Sequence, residues 1–261
     1  MRRTIDLGTF LGIRFRLHFS WFIIFILVTV LLVYPDYWQW YYWLIGIITS
    51  LVFFTSVVAH ELAHSLVGRA NGIPIGSITL FIFGGIAEMT EEPRRPGAEL
   101  KMAVAGPLCS LTISSLFGFM WLLIPNLSEP VAVMILWLAV INGALAAFNL
   151  IPGFPLDGGR ILRSVLWHFT GDYYRSTRIA TRLGQAVGCL FILGGILMVF
   201  LRPFGLSWFE GLWIAFIGWF VLSNASASYR QILWQGVTPM FTVGSAESAD
   251  SPSVPPDITV N

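Results

Sequence analysis

The sequence has few charged residues, only two cysteines and no internal repeat. Charged side chains make up 11% of its 261 residues, whereas a soluble globular domain has about 25%, so the chain lacks the polar surface that water would require. Cys109 and Cys189 lie in apolar runs, which is typical of small buried side chains rather than a disulfide or thiolate metal site. The net charge of +1 gives no reason to expect nucleic-acid binding.

Apolar residues dominate what remains. They make up 56% of the chain, and the mean hydropathy is +0.76. A helix that crosses a bilayer needs about 20 mostly apolar residues. The sequence therefore predicts an all-α polytopic membrane protein with about six transmembrane helices. These cover residues 18–35, 41–69, 98–124, 131–151, 178–201 and 208–229. The first run follows positive charge but has no small-residue cleavage site, which favours an uncleaved first helix over a signal peptide.

The basic residues predict the orientation. With six helices and a cytosolic N-terminus, 14 of the 15 basic residues lie on the inner side and only Arg202 lies outside. Such an asymmetry is typical of cytoplasmic loops. We therefore expect a multi-pass protein of a prokaryotic cell membrane with both termini in the cytoplasm. The inner residues are Arg2, Arg3, Arg14, Arg16, Arg69, Arg94, Arg95, Lys101, Arg160, Arg163, Arg175, Arg178, Arg182 and Arg230.

Two stretches do not fit simple helices. Residues 74–89 are apolar and β-branched, too short to cross a bilayer and interrupted by Gly84 and Gly85. They predict a short re-entrant β-like segment, which is tolerated at membrane depth only against protein or water. Residues 152–160 contain two prolines and three glycines and are expected to break the fourth helix. We expect residues 1–237 to form one domain and residues 238–261, rich in Ser, Pro and Asp, a disordered tail.

The segment His60-Glu61-Leu62-Ala63-His64 carries the chemistry. Histidines four residues apart project from one face of a helix, one turn from each other, which suits two positions on one Zn²⁺ ion. Glu61 points about 100° away from His60, so it could act as general base on a zinc-bound water without binding the metal. The alternative is a hydrogen-bonded histidine pair at a helix end, but ionisable groups inside a membrane are costly and usually functional.

A hydrolytic zinc site needs a third protein ligand. Asp157 is the only acidic residue between Glu129 and Asp172, and it follows the fourth helix on the side where His60 and His64 are expected. The alternative for Asp157 is a helix cap. Asn149 and Asn142, seven residues apart, share a face of the fourth helix. Each could contact a substrate carbonyl or oxyanion, or form an ordinary interhelical hydrogen bond.

These motifs together resemble the site-2 protease family of intramembrane metalloproteases. The resemblance extends over residues 1 to about 235 and is carried by His60–His64 and by Asn149 to Gly158. Its weaker parts are the segment 12–18, Phe83-Gly84-Gly85 and Ala105-Gly106-Pro107.

The resemblance implies zinc bound by His60, His64 and Asp157, Glu61 as catalytic base, and a role for Asn149 near the scissile bond. It also implies single-span membrane proteins in the lipid bilayer as substrates. The PDZ and paired C-terminal regulatory modules that are common in the family are not expected here.

The β-like segment suggests how the substrate binds. An unwound substrate could add as a strand to the edge formed by residues 76–87, and we expect Phe83, Gly84, Gly85 and Asn142 to contact it. Two other functions remain open at this stage. A zinc transporter would also place His and Asp in the membrane, and an inactive binding protein would normally have lost Glu61 or a ligand.

Overall fold

The computed structural model describes residues 4–33, 39–82, 84–89, 91–124, 128–201 and 208–237. Within these ranges the chain forms four strands and seven helices. In chain order they are β1 (Thr4–Phe10), β2 (Ile13–His18), α1 (Ser20–Val33), α2 (Trp40–Ala70), β3 (Ile75–Phe81), β4 (Gly84–Met89), α3 (Pro96–Leu123), α4 (Glu129–Asn149), α5 (Asp157–Thr170), α6 (Tyr173–Leu201) and α7 (Trp208–Val237). The predicted tail, residues 238–261, lies outside the described residues.

Five of these helices, α2, α3, α4, α6 and α7, are long and apolar enough to cross a membrane. Their positions confirm the predicted helices to within a few residues, except that α6 begins five residues early and α7 continues to Val237. The first predicted helix corresponds to α1, which is apolar but has only 14 described residues. Large apolar side chains such as Ile23, Leu122 and Leu197 are more than half exposed, as lipid-facing surfaces require.

The strands form one sheet in the order β1-β2-β3-β4. Pairing is antiparallel between β1 and β2, parallel between β2 and β3, and antiparallel between β3 and β4. The sequence predicted only the β3–β4 part. It missed β1 and β2, although β2 alternates buried Ile13, Phe15 and Leu17 with the more exposed Arg14 and Arg16, which is the period of a half-buried strand.

The sheet packs on α2. Ile13, Phe15 and Ile78 form a buried cluster against Val58 and Leu62 of that helix. Val58 and Leu62 flank His60 in the sequence, so the same helix presents its apolar side to the sheet and its histidines elsewhere. This packing sets the position of the sheet relative to His60.

Helix α5 was not predicted. Its positions alternate between polar and apolar at helical spacing, and it ends at Gly171, whose φ of 70° closes the last turn in the left-handed region. Because it is short and amphipathic, α5 does not resemble a transmembrane helix. His168 lies in its last turn. The expected break after α4 is confirmed, since α4 ends at Asn149 and α5 begins at Asp157.

Helices α6 and α7 pack closely because glycines face each other. A side chain at Gly188 would collide with the backbone of Gly218, and one at Gly195 would collide with the backbone of Gly211. Small residues of this kind let membrane helices approach each other. The pairing holds α7 beside the site described next.

Candidate metal centre

His60 and His64 lie on adjacent turns of α2, and both side chains are buried. Their Nε2 atoms are 3.2 Å apart. Both Nε2 atoms also face Asp157, whose Oδ2 is 3.3 Å from His60 Nε2 and 3.1 Å from His64 Nε2. The structure thus brings together three potential ligand atoms, one of them 93 residues from His64 in the sequence.

The loop between α4 and α5 positions Asp157. The backbone N–H of Phe154 donates to the carbonyl of Ala180 on α6, and Gly184 of α6 lies so close to Phe154 that no side chain fits there. Gly158 is equally restricted, because a side chain would collide with the carbonyls of Leu150 and Ile151. Burial raises the pKa of the Asp157 carboxyl, but hydrogen bonds and positive charge from protonated imidazoles of His60 and His64 outweigh burial and lower it.

Helix α3 holds the other ring nitrogen of each histidine. Nδ1 of His64 lies 2.7 Å from the carbonyl oxygen of Met102, and Nδ1 of His60 lies 2.9 Å from the hydroxyl of Ser110. A carbonyl oxygen only accepts, so Nδ1 of His64 must donate. In a neutral imidazole this leaves the lone pair of Nε2 free to face Asp157. Second contacts of this type orient metal-binding histidines in proteins.

The donor set fits Zn²⁺. Tetrahedral zinc with ligand bonds of about 2.0–2.1 Å requires ligand atoms about 3.3 Å apart, close to the 3.1, 3.2 and 3.3 Å that separate the three atoms here. Two nitrogen lone pairs and a carboxylate oxygen repel each other at such distances unless a proton or cation lies between them. Two imidazoles and one carboxylate are a ligand set that leaves a fourth position open.

Glu61 is next to these ligands but not among them. Its side chain lies against Gly85 of β4, so closely that a Cβ atom at that position would collide with its Cγ. Helix α2, which carries His60 and His64 and is named the metal helix below, and strand β4 therefore meet at Glu61. The side chain of Glu61 fills the space that any side chain at position 85 would need, so only glycine fits there.

One cavity of about 400 Å³ contains the ligands and Glu61. Its wall includes Asn149 at the end of α4, Gly84 and Gly85 of β4, and Asn224 of α7. Asn149, Gly84 and Gly85 therefore lie in the same cavity wall as the three candidate ligands, and their contact with the substrate stays a prediction. Phe83, which was also predicted to contact the substrate, lies outside the described residues.

Asn142 does not line this cavity. It is fully buried, and its Nδ2 donates to the carbonyl of Leu138 one turn earlier on α4. The structure thus places Asn142 in the interior and not in the cavity wall, which favours the structural alternative, and its contact with the substrate stays untested. The two asparagines share a face of the helix, but α4 ends just after Asn149, so only the later residue reaches the open space.

Sequence reasoning missed several residues of the site. Ser110 and Met102 contact the histidines from α3, Asn224 reaches the cavity from α7, and Arg160 lines it one turn after Asp157. Gly106 was noted only as part of a resemblance, yet a side chain there would collide with the imidazole of His64. A polar residue within an apolar helix was a usable signal for Ser110 and Asn224. The Met102 carbonyl gives no sequence signal at all.

Comparison with known proteins places this arrangement in a family. The model of peptidase family M50 matches residues 48–127 and 126–195. A Synechocystis sp. protein named "Putative zinc metalloprotease sll0528" is 40% identical over 266 residues, which are 100% of this chain and 69% of that protein. "Zinc metalloprotease MJ0392" of Methanocaldococcus jannaschii is 35% identical over 203 residues, 76% of this chain and 55% of that protein.

A solved structure agrees with these relatives. The site-2 protease from Methanocaldococcus jannaschii superposes with a TM-score of 0.62 at 29% identity, covering 87% of this chain and 95% of that one. This chain has five helices long and apolar enough to cross a membrane, and with these relatives they indicate a multi-pass membrane protein. Among the three functions left open by the sequence, these findings support the enzyme. The chain belongs to peptidase family M50 and is a zinc metalloprotease of the site-2 protease type.

Proposed function

We propose that this protein hydrolyses peptide bonds within or near the transmembrane segments of single-span membrane proteins. In this proposal His60, His64 and Asp157 hold one zinc ion, and Glu61 is the catalytic base. The observation that carries it is a single cavity in which these four side chains lie beside the strand β4. A cavity that combines a hydrolytic site with a strand suits an extended peptide better than a transported ion.

The residues have distinct roles in this mechanism. Zinc, when bound, polarises the scissile carbonyl and makes a water molecule more acidic. Glu61 accepts the proton of the attacking water and then passes it to the leaving amine. The side-chain amide of Asn149, at the cavity wall, donates a hydrogen bond to the substrate carbonyl or to the oxyanion that forms during attack.

Strand β4 presents the substrate to these groups. The edge suggested by the sequence was residues 76–87, but β3 is paired on both sides, with β2 and with β4. Only β4 has a free edge on this side of the sheet, and Gly85 places it against Glu61. A substrate segment that unwinds and pairs with β4 satisfies its backbone hydrogen bonds while its scissile bond lies next to the base.

The cellular setting is part of the proposal. Residues 1–237 form the protease domain in a prokaryotic cell membrane, with both termini in the cytoplasm. Strand β2, which carries Arg14 and Arg16, and helix α5, which carries Arg160 and Arg163, lie near the part of α2 that carries His60 and His64. That part of the molecule is therefore rich in the positive charge expected of a cytoplasmic face.

Replacing Glu61 by Gln tests the proposal directly. The chain is co-expressed with tagged single-span proteins, and cleavage is followed by the size of the tagged fragments. We expect wild type to produce a shortened fragment and Glu61→Gln to produce none, because the amide cannot accept the proton of the attacking water. Both proteins should contain about one zinc per chain, since Glu61 is not a ligand.

The matched control is Glu91→Gln. Glu91 is exposed and pairs with Arg94, so this variant should cleave like wild type. Cleavage by Glu61→Gln at the wild-type rate would disprove the role of Glu61. Loss of zinc from this variant would instead place Glu61 among the metal ligands.

A further inference from the structure

Arg160 is a cation in the cavity wall that acts on the carboxyl of Glu61 through its charge but forms no direct ion pair among the described residues. Its closest described polar contact is the sulfur of Met89, 3.6 Å from Nη1, and no described acidic group forms an ion pair with it. Its side chain is half-buried. A guanidinium that loses part of its water without a direct hydrogen-bonded carboxylate carries a desolvation cost that a ligand carboxylate would offset.

The next arginine on α5 shows what a structural arginine looks like here. Arg163 is buried, and its Nε donates to Glu99 at 2.8 Å. Its Nη1 donates to the hydroxyl of Tyr173, also at 2.8 Å. Arg163 thus has hydrogen-bond partners inside the protein, whereas Arg160, one turn earlier on α5, faces the cavity. The unpaired arginine is the one next to the metal ligands.

The position of Arg160 relates it to the substrate strand. Glu61 lies against Gly85 near the start of β4, and Arg160 contacts Met89 at its end. Four residues of strand span about 13 Å. A peptide paired with β4, with its scissile bond beside Glu61, would therefore place a residue about four positions away next to the guanidinium.

We infer that Arg160 is a specificity residue that binds a carboxylate of the substrate. This rests on the proposed function of the site. The carboxylate has two possible sources: an Asp or Glu side chain about four residues from the scissile bond, or the new carboxyl terminus formed by cleavage. In both cases the planar guanidinium supplies paired N–H donors that match the geometry of a carboxylate.

Binding to a protein that cannot cleave tests the inference separately from catalysis. Fluorescent transmembrane peptides with Glu or Gln at each position from two to six residues on either side of the scissile bond are titrated against zinc-loaded Glu61→Gln in detergent. We expect Glu to bind about tenfold more tightly than Gln at one or two of these positions. A second pair of peptides ends at the cleaved bond with a free carboxylate or an amide, and tests the other source.

Three further variants are made in the Glu61→Gln background. Arg160→Met should reduce the affinity ratio to about one, and Arg160→Lys should keep part of it. Arg160→Glu should reverse it in favour of peptides with Lys, a result that a merely structural role would not produce. Arg175→Met is the control, since Arg175 is exposed on α6 and not part of the cavity wall, and should preserve the tenfold ratio.

The outcomes separate this inference from the proposed function. A preference for Glu that depends on Arg160 supports a side-chain carboxylate, and an equal dependence for the free carboxyl terminus supports the product. If acidic and neutral peptides bind alike at every position and at the new terminus, the inference is wrong even when wild type cleaves. If wild type does not cleave but the preference depends on Arg160, only the proposed cleavage fails.

Discussion

At the scale of single residues, the metal site depends on atoms that are not ligands. His60 and His64 are held at their far nitrogens by Ser110 and by the Met102 carbonyl, both on α3. Such contacts fix the ring orientation and tautomer, and their loss typically costs about 10–100-fold in metal affinity. The approach of α3 to α2 is close enough only because Gly106 faces the His64 ring.

Gly106→Ala is therefore expected to weaken zinc binding. The added methyl group would occupy the space of the His64 imidazole, so the ring must turn away from Asp157 or the helices must separate. We expect zinc affinity to fall on the order of 10–100-fold, measured by competition with a chelator.

Gly118→Ala on the same helix is the matched control, because nothing lies within 4 Å of a side chain at that position. Equal zinc affinity in both variants and wild type would contradict the structural role of Gly106.

At the scale of elements, the sheet has two outer strands with different surroundings. β4 borders the cavity and the metal helix, whereas β1 lies at the opposite edge, paired only with β2. Both edges expose unpaired backbone groups, but only β4 lies beside Glu61. The sequence pattern of 74–89 indicated a strand without showing which of its halves is at the edge.

Proline substitutions in β4 test whether its edge binds the substrate. Successive N–H groups of a strand point to opposite sides, so Ala87 and Glu88 differ in which one faces away from β3. Proline removes the N–H. We expect one of Ala87→Pro and Glu88→Pro to lower kcat/KM at least about tenfold without changing thermal stability, and the other to lower stability by breaking the β3–β4 ladder.

Proline in β1, at Ile5, is the control and should leave cleavage near the wild-type rate. Proline within β3 should destabilise the fold, because that strand is paired on both sides. Unchanged cleavage in both β4 variants would exclude pairing of the substrate with this edge.

At the scale of the whole molecule, the charge asymmetry agrees with the folded arrangement. Ion pairs join Arg16 of β2 to Glu88 of β4, and Arg163 of α5 to Glu99 at the start of α3. Basic residues that the sequence assigns to the inner side thus join elements far apart in sequence.

Reporter fusions test the proposed orientation. Green fluorescent protein fused after α7 should be fluorescent, because it folds in the cytoplasm. Alkaline phosphatase inserted between α3 and α4, at residues 125–127, should be active because that connection is expected outside. The reverse pattern for the two reporters would invert the orientation and place the metal site at the outer face of the membrane.

The sequence by itself determined the apolar helices, the pairing of His60 with His64, and the break before Asp157. These features depend on composition, helical spacing, proline and glycine, which act over a few neighbouring residues. It also made Asp157 the leading candidate for a third ligand, because it is the only acidic residue between Glu129 and Asp172.

Only the tertiary structure decided how these parts meet. The contacts of α3 with the histidines, the free edge of β4 against Glu61 and the unpaired guanidinium of Arg160 join residues that are between 24 and 71 positions apart. No local pattern encodes such contacts, because they result from packing between helices and sheet. The same holds for Asn142 and Asn149, which share one face of α4. Asn142 is buried in the protein interior, whereas Asn149, at the end of the helix, lines the cavity.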